Sequence, residues 1–164
     1  MPHVYVAGGS NIAAEENILR AAAELRTAFP GARFSACYAN AAVGFSGDEF
    51  INFVVELPTP RSLADVIHEL RRIETLCGRP RNAPRWAPRS MDLDVLLYDD
   101  LVLTNADVKL PRPDLLTRPY MLGPMAQIAP QVLHPTVKRS IGELWEDFDR
   151  ASHPMRRLAL NLGA

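Results

Sequence analysis

Over the first 98 residues of the chain, segments with the apolar pattern of a strand take turns with segments that have the apolar pattern of a helix. Four runs of β-branched and aromatic residues predict strands at residues 3–7, 33–39, 50–57 and 91–98. Apolar side chains repeated every three or four positions predict helices at residues 14–29 and 62–78. The order β-α-β-β-α-β predicts an α+β, ferredoxin-like fold, a split β-α-β sandwich with an antiparallel sheet and two helices packed on one face.

The same alternation predicts which strand residues face the core. The predicted core-facing side chains are Phe34, Ala36 and Tyr38 on the second strand and Leu93, Val95 and Leu97 on the fourth. Residues 8–11, Gly-Gly-Ser-Asn, follow the first strand and predict a turn. They lack the Lys-Ser/Thr of a phosphate-binding P-loop.

The remaining segments are less regular. Residues 40–49 have no period and contain two glycines, which predicts an exposed loop. Residues 99–100 predict a turn into a short strand at 101–103. Six prolines between positions 111 and 135 divide the rest into short helices, predicted at 120–128 and 141–148. We expect residues 1–164 to form one domain with a C-terminal extension of short helices.

Composition narrows the class of protein. Hydrophobic residues make up 48% and charged residues 23% of the chain, which argues against disorder and against a disulfide scaffold. The two cysteines, Cys37 and Cys77, lie in apolar segments typical of reduced thiols. No apolar run is long enough to span a membrane. We therefore expect a cytoplasmic protein, without membrane contact and monomeric.

Charge is segregated locally although the formal net charge is only −1. Residues 71–89 contain six arginines and one glutamate, and residues 90–100 contain four aspartates and no basic residue. A nucleic-acid-binding protein is expected to have a wider basic surface. We therefore expect no nucleic-acid partner, and a metal-dependent nuclease is the least favoured enzyme class.

Asp92 and Asp94 are candidate magnesium ligands. Residues two apart on a strand share a face and lie roughly 6.6 Å apart. Carboxylates are preferred ligands of Mg²⁺, and two of them can share a pair of ions. The alternative is that they are ordinary acidic residues on an exposed sheet edge.

The cationic segment before these aspartates suits a polyphosphate. Its arginines are Arg79, Arg81, Arg85 and Arg89. Guanidinium groups offer paired donors and stay charged, as a triphosphate beside a metal requires. The alternative is a solvated basic surface. Trp86 could stack on a flat heterocycle or simply anchor the segment, and Glu74 faces the segment or is a surface acid.

With these residues described, the chain resembles the 6-hydroxymethyl-7,8-dihydropterin pyrophosphokinase family. The resemblance is strongest at residues 85–97, which contain the Arg-Trp, Pro-Arg and Asp-Leu-Asp elements of that family. It also includes residues 8–11, Asn52, residues 73–81 and residues 122–130, in the same order and spacing. It therefore extends over nearly the whole chain.

The resemblance implies transfer of pyrophosphate from ATP to the pterin hydroxymethyl group, with release of AMP, in folate biosynthesis. It implies two Mg²⁺ ions on Asp92 and Asp94, and catalytic roles for Arg79 and Arg89. The implied ATP site comprises Arg71, Glu74, Arg81, Arg85, Trp86, Val95, Arg112 and Arg118. The implied pterin site comprises Val43, Phe50, Asn52, Trp86 and Tyr120.

Two segments depart from the family pattern. Residues 40–44 read Asn-Ala-Ala-Val-Gly where the family usually has Thr-Pro-Pro-Leu/Val-Gly, and Arg112 replaces the histidine of a frequent Pro-His-Pro. The metal and phosphate residues match, whereas the segment expected to contact the pterin differs. A paralogue that acts on a different pterin, or a nucleotide- or pterin-binding protein without catalysis, is therefore an alternative.

Overall fold

A computed structural model describes residues 1–40, 49–78, 90–105 and 107–163. The predicted order of strands and helices is confirmed, with additional short strands. The elements are β1 (His3–Ser10), α1 (Ala14–Ala28), β2 (Arg33–Phe34), β3 (Tyr38–Asn40), β4 (Phe50–Pro58), α2 (Leu63–Leu76), β5 (Asp92–Tyr98), β6 (Leu103–Thr104), β7 (Lys109–Leu110), a 3₁₀ helix (Pro113–Leu116), α3 (Pro119–Ile128), α4 (Ile141–Glu146) and β8 (Arg156–Arg157).

The main sheet has the strand order β5-β1-β4-β3-β8, and β2 also pairs with β4. Every paired strand in it is antiparallel to its neighbour. Because β1 and β4 occupy the middle, each of them has a partner on both sides. This is the predicted split β-α-β arrangement, and it brings the ends of β1, β4 and β5 together.

Two helical layers cover the two faces of the sheet. Helices α1 and α2 pack on one face through a core that includes Ile18, Leu25, Phe53, Leu70 and Leu93. On the other face, the C-terminal helices α3 and α4 pack on a second core that includes Tyr5, Val54, Leu97, Leu122 and Ile141. The prediction for α1 and α2 is confirmed, and the C-terminal extension covers the remaining face. None of the described helices could span a membrane.

The predicted turn at residues 8–11 is wrong at its first three positions, because β1 continues to Ser10. Gly8 pairs with Phe53 and Leu93, and Gly9 pairs with Asn52 and Asp92. A Cβ atom on Gly8 would lie 2.4 Å from the Phe53 ring, and one on Gly9 would lie 2.7 Å from Asn52 Oδ1. The glycines therefore serve close packing within a strand.

Gly8→Ala is expected to lower the free energy of unfolding by about 1–3 kcal/mol, the usual cost of overpacking a core. The Phe53 ring is fully buried, so it cannot move into solvent to relieve the overlap. Urea unfolding of the variant measures this cost. In a Phe53→Leu background the same substitution should cost less, and an equal cost in both backgrounds would contradict the steric explanation.

Two register shifts in the main sheet move side chains away from their predicted faces. The pairing with β4 shifts by one residue between β2 and β3, which buries Cys37 and Ala39 and leaves Ala36 and Tyr38 only partly buried. In β5, Tyr5 pairs with Leu97 but Val6 pairs with Val95, so Leu96 is an extra residue. An extra residue inverts the alternation that follows it.

The bulge in β5 corrects the prediction for Leu97. Leu93 and Val95 lie in the core beneath α1 and α2 as predicted, whereas Leu97 lies in the core beneath α3 and α4. The predicted strand at residues 101–103 is also displaced. Leu103 and Thr104 form β6, which pairs with β7 in a separate two-stranded sheet.

A partly buried hydrogen bond between β1 and β4 makes stability depend on pH. Tyr5 Oη donates to Glu56 Oε2 at 2.5 Å, and Arg33 Nη2 lies 3.3 Å from Glu56 Oε1. Burial alone raises the pKa of Glu56, but the hydrogen bond from Tyr5 and the charge of Arg33 outweigh it and lower that pKa below its ordinary 4.5. Because the folded pKa is depressed, this stabilisation is present above the unfolded pKa and is lost as pH falls through the folded pKa.

Tyr5→Phe is therefore expected to reduce the free energy of unfolding by about 1–2 kcal/mol near neutral pH, and by less at an acidic pH below the lowered pKa of Glu56, where that carboxyl is protonated. Urea titrations at both pH values measure the difference. Tyr38→Phe is the matched control, because its hydroxyl binds the neutral Gln127 side chain at 3.0 Å. A Tyr5→Phe cost that did not change with pH would contradict the assignment.

Candidate active site

A cavity of about 370 Å³ opens where the ends of β1, β4 and β5 meet the 3₁₀ helix and the start of α3. The strands supply its floor, and the 3₁₀ helix and α3 supply a wall. The described residues that line it are Ala7, Gly8, Gly9, Asn40, Phe50, Asn52, Asp92, Asp94, Arg112, Asp114, Arg118, Tyr120 and Met121. Seven of these were predicted from the sequence as site residues: Phe50, Asn52, Asp92, Asp94, Arg112, Arg118 and Tyr120.

Asp92 and Asp94 both line this cavity, as two residues on one strand face should. Burial, reinforced by the negative charge of Asp92, raises the pKa of Asp94 from 3.8 to about 6. The charges of Arg112 and Arg71 oppose that rise without cancelling it. A buried carboxylate whose ionised form is disfavoured, with a second carboxylate beside it, makes a site in which an added cation is stabilised.

Arg112 is anchored beside the aspartates. Its Nη1 lies 3.6 Å from Asp94 Oδ1, its Nη2 lies 3.4 Å from Asp114 Oδ2, and its backbone N–H donates to Leu96 at 2.9 Å. Its buried Nε has no hydrogen-bond partner among the described residues. The Arg112 side chain as a whole is 29% exposed and lines the cavity, so its guanidinium group lies where a phosphate oxygen could bind.

The other end of the cavity combines amides with aromatic rings. Asn52 is 5% exposed, and its Nδ2 donates to Asn40 Oδ1. The rings of Phe50 and Tyr120 line the same space, and burial raises the pKa of the Tyr120 hydroxyl. A buried amide in the same cavity as two aromatic residues suits a flat heterocycle with polar edges.

Three predicted ATP residues lie away from this lining. The Val95 side chain is buried in the core beneath α1 and α2, on the face opposite Asp94. Arg71 and Glu74 lie on α2 and bind the backbone of Leu93 at the outer edge of β5. Contact of Arg71 and Glu74 with a nucleotide stays a prediction. The buried position of the Val95 side chain does not support its predicted contact with ATP.

Six predicted site residues fall outside the described residues, and their roles stay predictions. They are Val43, Arg79, Arg81, Arg85, Trp86 and Arg89.

Sequence reasoning did not name Asn40 or Asp114 as site residues. Asn40 pairs with Phe50 across β3 and β4, which brings its side chain to that of Asn52. Asp114 comes two residues after Arg112, and its side chain pairs with it. The pairing of β3 with β4 could have indicated Asn40, whereas no sequence pattern marked Asp114.

The residues present fit a divalent cation that also binds a ligand. The described residues contain no cluster of three or more His, Cys, Asp or Glu that could hold a metal alone. Asp92 and Asp94 nevertheless share a cavity with open volume beside them. Mg²⁺ usually takes one or two protein carboxylates and completes its shell with water and phosphate oxygens, which matches this donor set.

Comparison with known proteins identifies the family. The model of the 7,8-dihydro-6-hydroxymethylpterin-pyrophosphokinase (HPPK) family matches residues 5–130, well over half of the chain. The chain belongs to the HPPK family. The matched region includes every element from β1 to α3 except the first residues of β1, and so includes each described residue that lines the cavity.

Relatives with the name 2-amino-4-hydroxy-6-hydroxymethyldihydropteridine pyrophosphokinase match the HPPK region at about one-third identity. The Aquifex aeolicus (strain VF5) protein is 31% identical over 145 residues, which are 87% of this chain and 90% of that protein. The Pseudomonas aeruginosa PAO1 protein is 34% identical over 136 residues, which are 80% of this chain and 83% of that protein.

Solved structures share the HPPK fold at low sequence identity. A crystal structure of HPPK-DHPS in complex with substrates aligns with a TM-score of 0.68 at 11% identity, and covers 92% of this chain and 44% of that chain. Plasmodium falciparum HPPK-DHPS with pteroate aligns with a TM-score of 0.70 over 88% of this chain. This chain spans less than half of either solved chain, and the likeness shows the fold alone.

Proposed function

We propose that this protein transfers pyrophosphate from Mg-ATP to the hydroxymethyl group of 6-hydroxymethyl-7,8-dihydropterin, releasing AMP, as a step of folate biosynthesis. One observation supports this most directly. A single cavity has a pair of carboxylates at one end and a buried amide with aromatic rings at the other. Those two ends match a metal-bound polyphosphate and a flat acceptor, respectively.

At the acceptor end, Asn52 would hydrogen-bond the polar edge of the pterin. One of the two Nδ2 hydrogens donates to Asn40 Oδ1. The other could donate to a ring nitrogen or carbonyl, and Oδ1 could accept from a ring N–H or amino group. Phe50 and Tyr120 would pack against the ring. We assign Trp86 and Val43 to the same site on the family resemblance.

At the polyphosphate end, Asp92 and Asp94 would hold magnesium, and we propose two ions. Bound Mg²⁺ would neutralise charge on the phosphate oxygens during transfer. Arg112 and Arg118 border the same space and would contact the phosphates. We assign Arg79 and Arg89 as catalytic cations, and Arg81, Arg85 and Trp86 as ATP contacts, on the family resemblance.

The reaction needs an in-line approach more than it needs a protein base. The acceptor hydroxyl attacks the β-phosphorus, the bond from that phosphorus to the α,β-bridging oxygen breaks, and AMP departs. The hydroxyl proton passes to solvent. The chain contributes by holding both substrates in one cavity and by placing arginines where negative charge accumulates.

Phosphorus NMR tests the proposal directly. The protein is incubated with Mg-ATP and 6-hydroxymethyl-7,8-dihydropterin, and the nucleotide products are identified. AMP with a pterin diphosphate is the expected result. Formation of ADP would indicate an ordinary kinase instead. Binding of ATP without any product, with this or related pterins, would favour the alternative of a nucleotide- or pterin-binding protein.

We also propose that the chain acts as a single-domain monomer in the cytoplasm. Its fractions of hydrophobic and charged residues are ordinary for a globular domain, and its formal net charge is −1, which supports this proposal. The cavity is also formed by residues of one chain. Light scattering coupled to size-exclusion chromatography measures the oligomeric state, and a dimer mass would overturn the monomer assignment.

A further inference from the structure

Strand β5 lies at one end of the main sheet, so only β1 pairs with it among the described residues. Edge strands expose a row of backbone groups that no neighbouring strand satisfies. At Leu93 these groups have side-chain partners instead. The N–H of Leu93 donates to Glu74 Oε2 at 2.8 Å, and Arg71 Nη1 donates to the Leu93 carbonyl at 2.9 Å.

Arg71 and Glu74 also bind each other, one turn apart on α2. Arg71 Nη1 lies 2.7 Å from Glu74 Oε2. The same two side chains therefore satisfy both backbone groups of a single residue and neutralise one another. We call Arg71 and Glu74 together the Leu93 clip.

Glu74 is the buried half of the clip, with a side chain only 6% exposed, whereas that of Arg71 is 49% exposed. A buried carboxylate is tolerated when its charge and its acceptor atoms are satisfied. Its contacts with Arg71 and Leu93 supply this compensation. Glu74 therefore joins α2 to β5 through a buried hydrogen bond and is not a surface acid.

The position of Leu93 gives the clip a functional consequence. Leu93 stands between Asp92 and Asp94, and its own side chain is fully buried beneath α1 and α2. Because strand side chains alternate, the two carboxylates point to the opposite face, into the cavity. The backbone torsions at residue 93 thus set the separation and direction of both carboxylates.

We infer that Arg71 and Glu74 are positioning residues, which fix the backbone of Leu93 so that Asp92 and Asp94 are held at the separation needed to bind divalent cations. This inference rests on the proposed function. It differs from the direct contact with ATP that the family resemblance implies for both residues. Contacts that orient metal ligands usually change metal affinity by about 10- to 100-fold when they are removed.

Metal affinity measured without turnover provides the test. Mn²⁺ binding is followed by electron paramagnetic resonance in the presence of α,β-methylene-ATP, which cannot release AMP. Glu74→Ala should weaken Mn²⁺ binding about 10-fold or more. Glu74→Gln keeps an oxygen that can accept from Leu93 N–H, so it should recover most of that affinity. Hydrogen exchange of the Leu93 amide should be faster in Glu74→Ala than in Glu74→Gln.

Glu69→Ala is the matched control. Glu69 lies on the same helix, and it pairs with Arg61 and Arg72 instead of with β5. It should leave Mn²⁺ affinity unchanged. If Glu74→Ala does not fold, Arg71→Ala is the second variant, because the Arg71 side chain is more exposed. It removes the hydrogen bond to the Leu93 carbonyl and should also weaken Mn²⁺ binding.

Unchanged Mn²⁺ affinity in folded Glu74→Ala, or equal losses in Glu74→Ala and Glu69→Ala, would overturn the inference. Failure of the proposed function gives a different result. In that case the wild-type protein forms no AMP from the pterin, while the Mn²⁺ measurements still report on the clip.

Discussion

Asp94→Asn is expected to reduce the rate of AMP formation by roughly 10²- to 10³-fold while the protein remains folded. The substitution preserves the size of the side chain and removes one of the two carboxylates that line the cavity. A neutral amide is a poorer ligand for Mg²⁺, and charge on the phosphate oxygens would then be less well neutralised. Phosphorus NMR under saturating substrates measures the rate.

The same variant should be at least as stable as the wild type near neutral pH. The pKa of Asp94 in the folded protein is raised to about 6, so the folded state holds a proton more tightly than the unfolded state does. The wild type therefore loses stability as pH rises from about 4 to about 6, where Asp94 ionises beside Asp92. Asn at this position removes that loss, and urea unfolding across this range detects the difference.

Asp100→Asn is the control for both measurements, because Asp100 is an exposed residue on the turn that follows the same strand. It should change neither the rate nor the pH dependence. Near-normal AMP formation by folded Asp94→Asn would contradict the assignment of Asp94 as a metal ligand.

Asn52→Ala is expected to raise the KM for the pterin by about 10- to 100-fold and to leave the KM for ATP nearly unchanged. Asn52 supplies a buried amide at the proposed acceptor end, and a lost hydrogen bond in a buried site costs about 1–3 kcal/mol. The substitution also removes the donor that engages Asn40. Initial rates with each substrate varied in turn separate the two KM values.

Asn17→Ala serves as the comparison for Asn52→Ala. Asn17 Nδ2 also donates to an oxygen, the carbonyl of Ile12, at 2.7 Å, but on α1 and away from the cavity lining. It should leave both KM values unchanged. A rise in the KM for ATP equal to that for the pterin in Asn52→Ala would mean that the two ends of the cavity are not separate sites.

Hydrophobic periodicity predicted most of the architecture because most helices and strands here bury one continuous face. Helix α2 begins at the predicted cap Ser62, whose side chain accepts from Asp65 N–H, and ends before Gly78, which has a positive φ. Periodicity could not predict Leu97, since a single extra residue at Leu96 inverts the alternation. It also could not distinguish Gly8 as a packing residue from a glycine in a turn.

The candidate site could be predicted in part, from the alternation of side chains along a strand. Asp92 and Asp94 share a face through a local rule, and that rule also places Val95 on the opposite face, in the core. The pairing of Arg112 with Asp94 depends on how the 3₁₀ helix approaches β5, which no short sequence pattern encodes. From the residues alone, Glu74 could face the cationic segment or be a surface acid. Its contact with β5 was not predicted, because its partner is a backbone group that has no sequence signature.

The pairing of β1 with β5 has a consequence for folding. Asp92, in the second half of the chain, lies beside Gly9 near its start, and β4 is inserted on the other side of β1. Contacts between such distant segments form slowly, because the closure entropy of the intervening chain must be overcome first. The carboxylate end of the cavity should therefore assemble late, and binding of Mg-ATP should report the completely folded protein and not a partly folded intermediate.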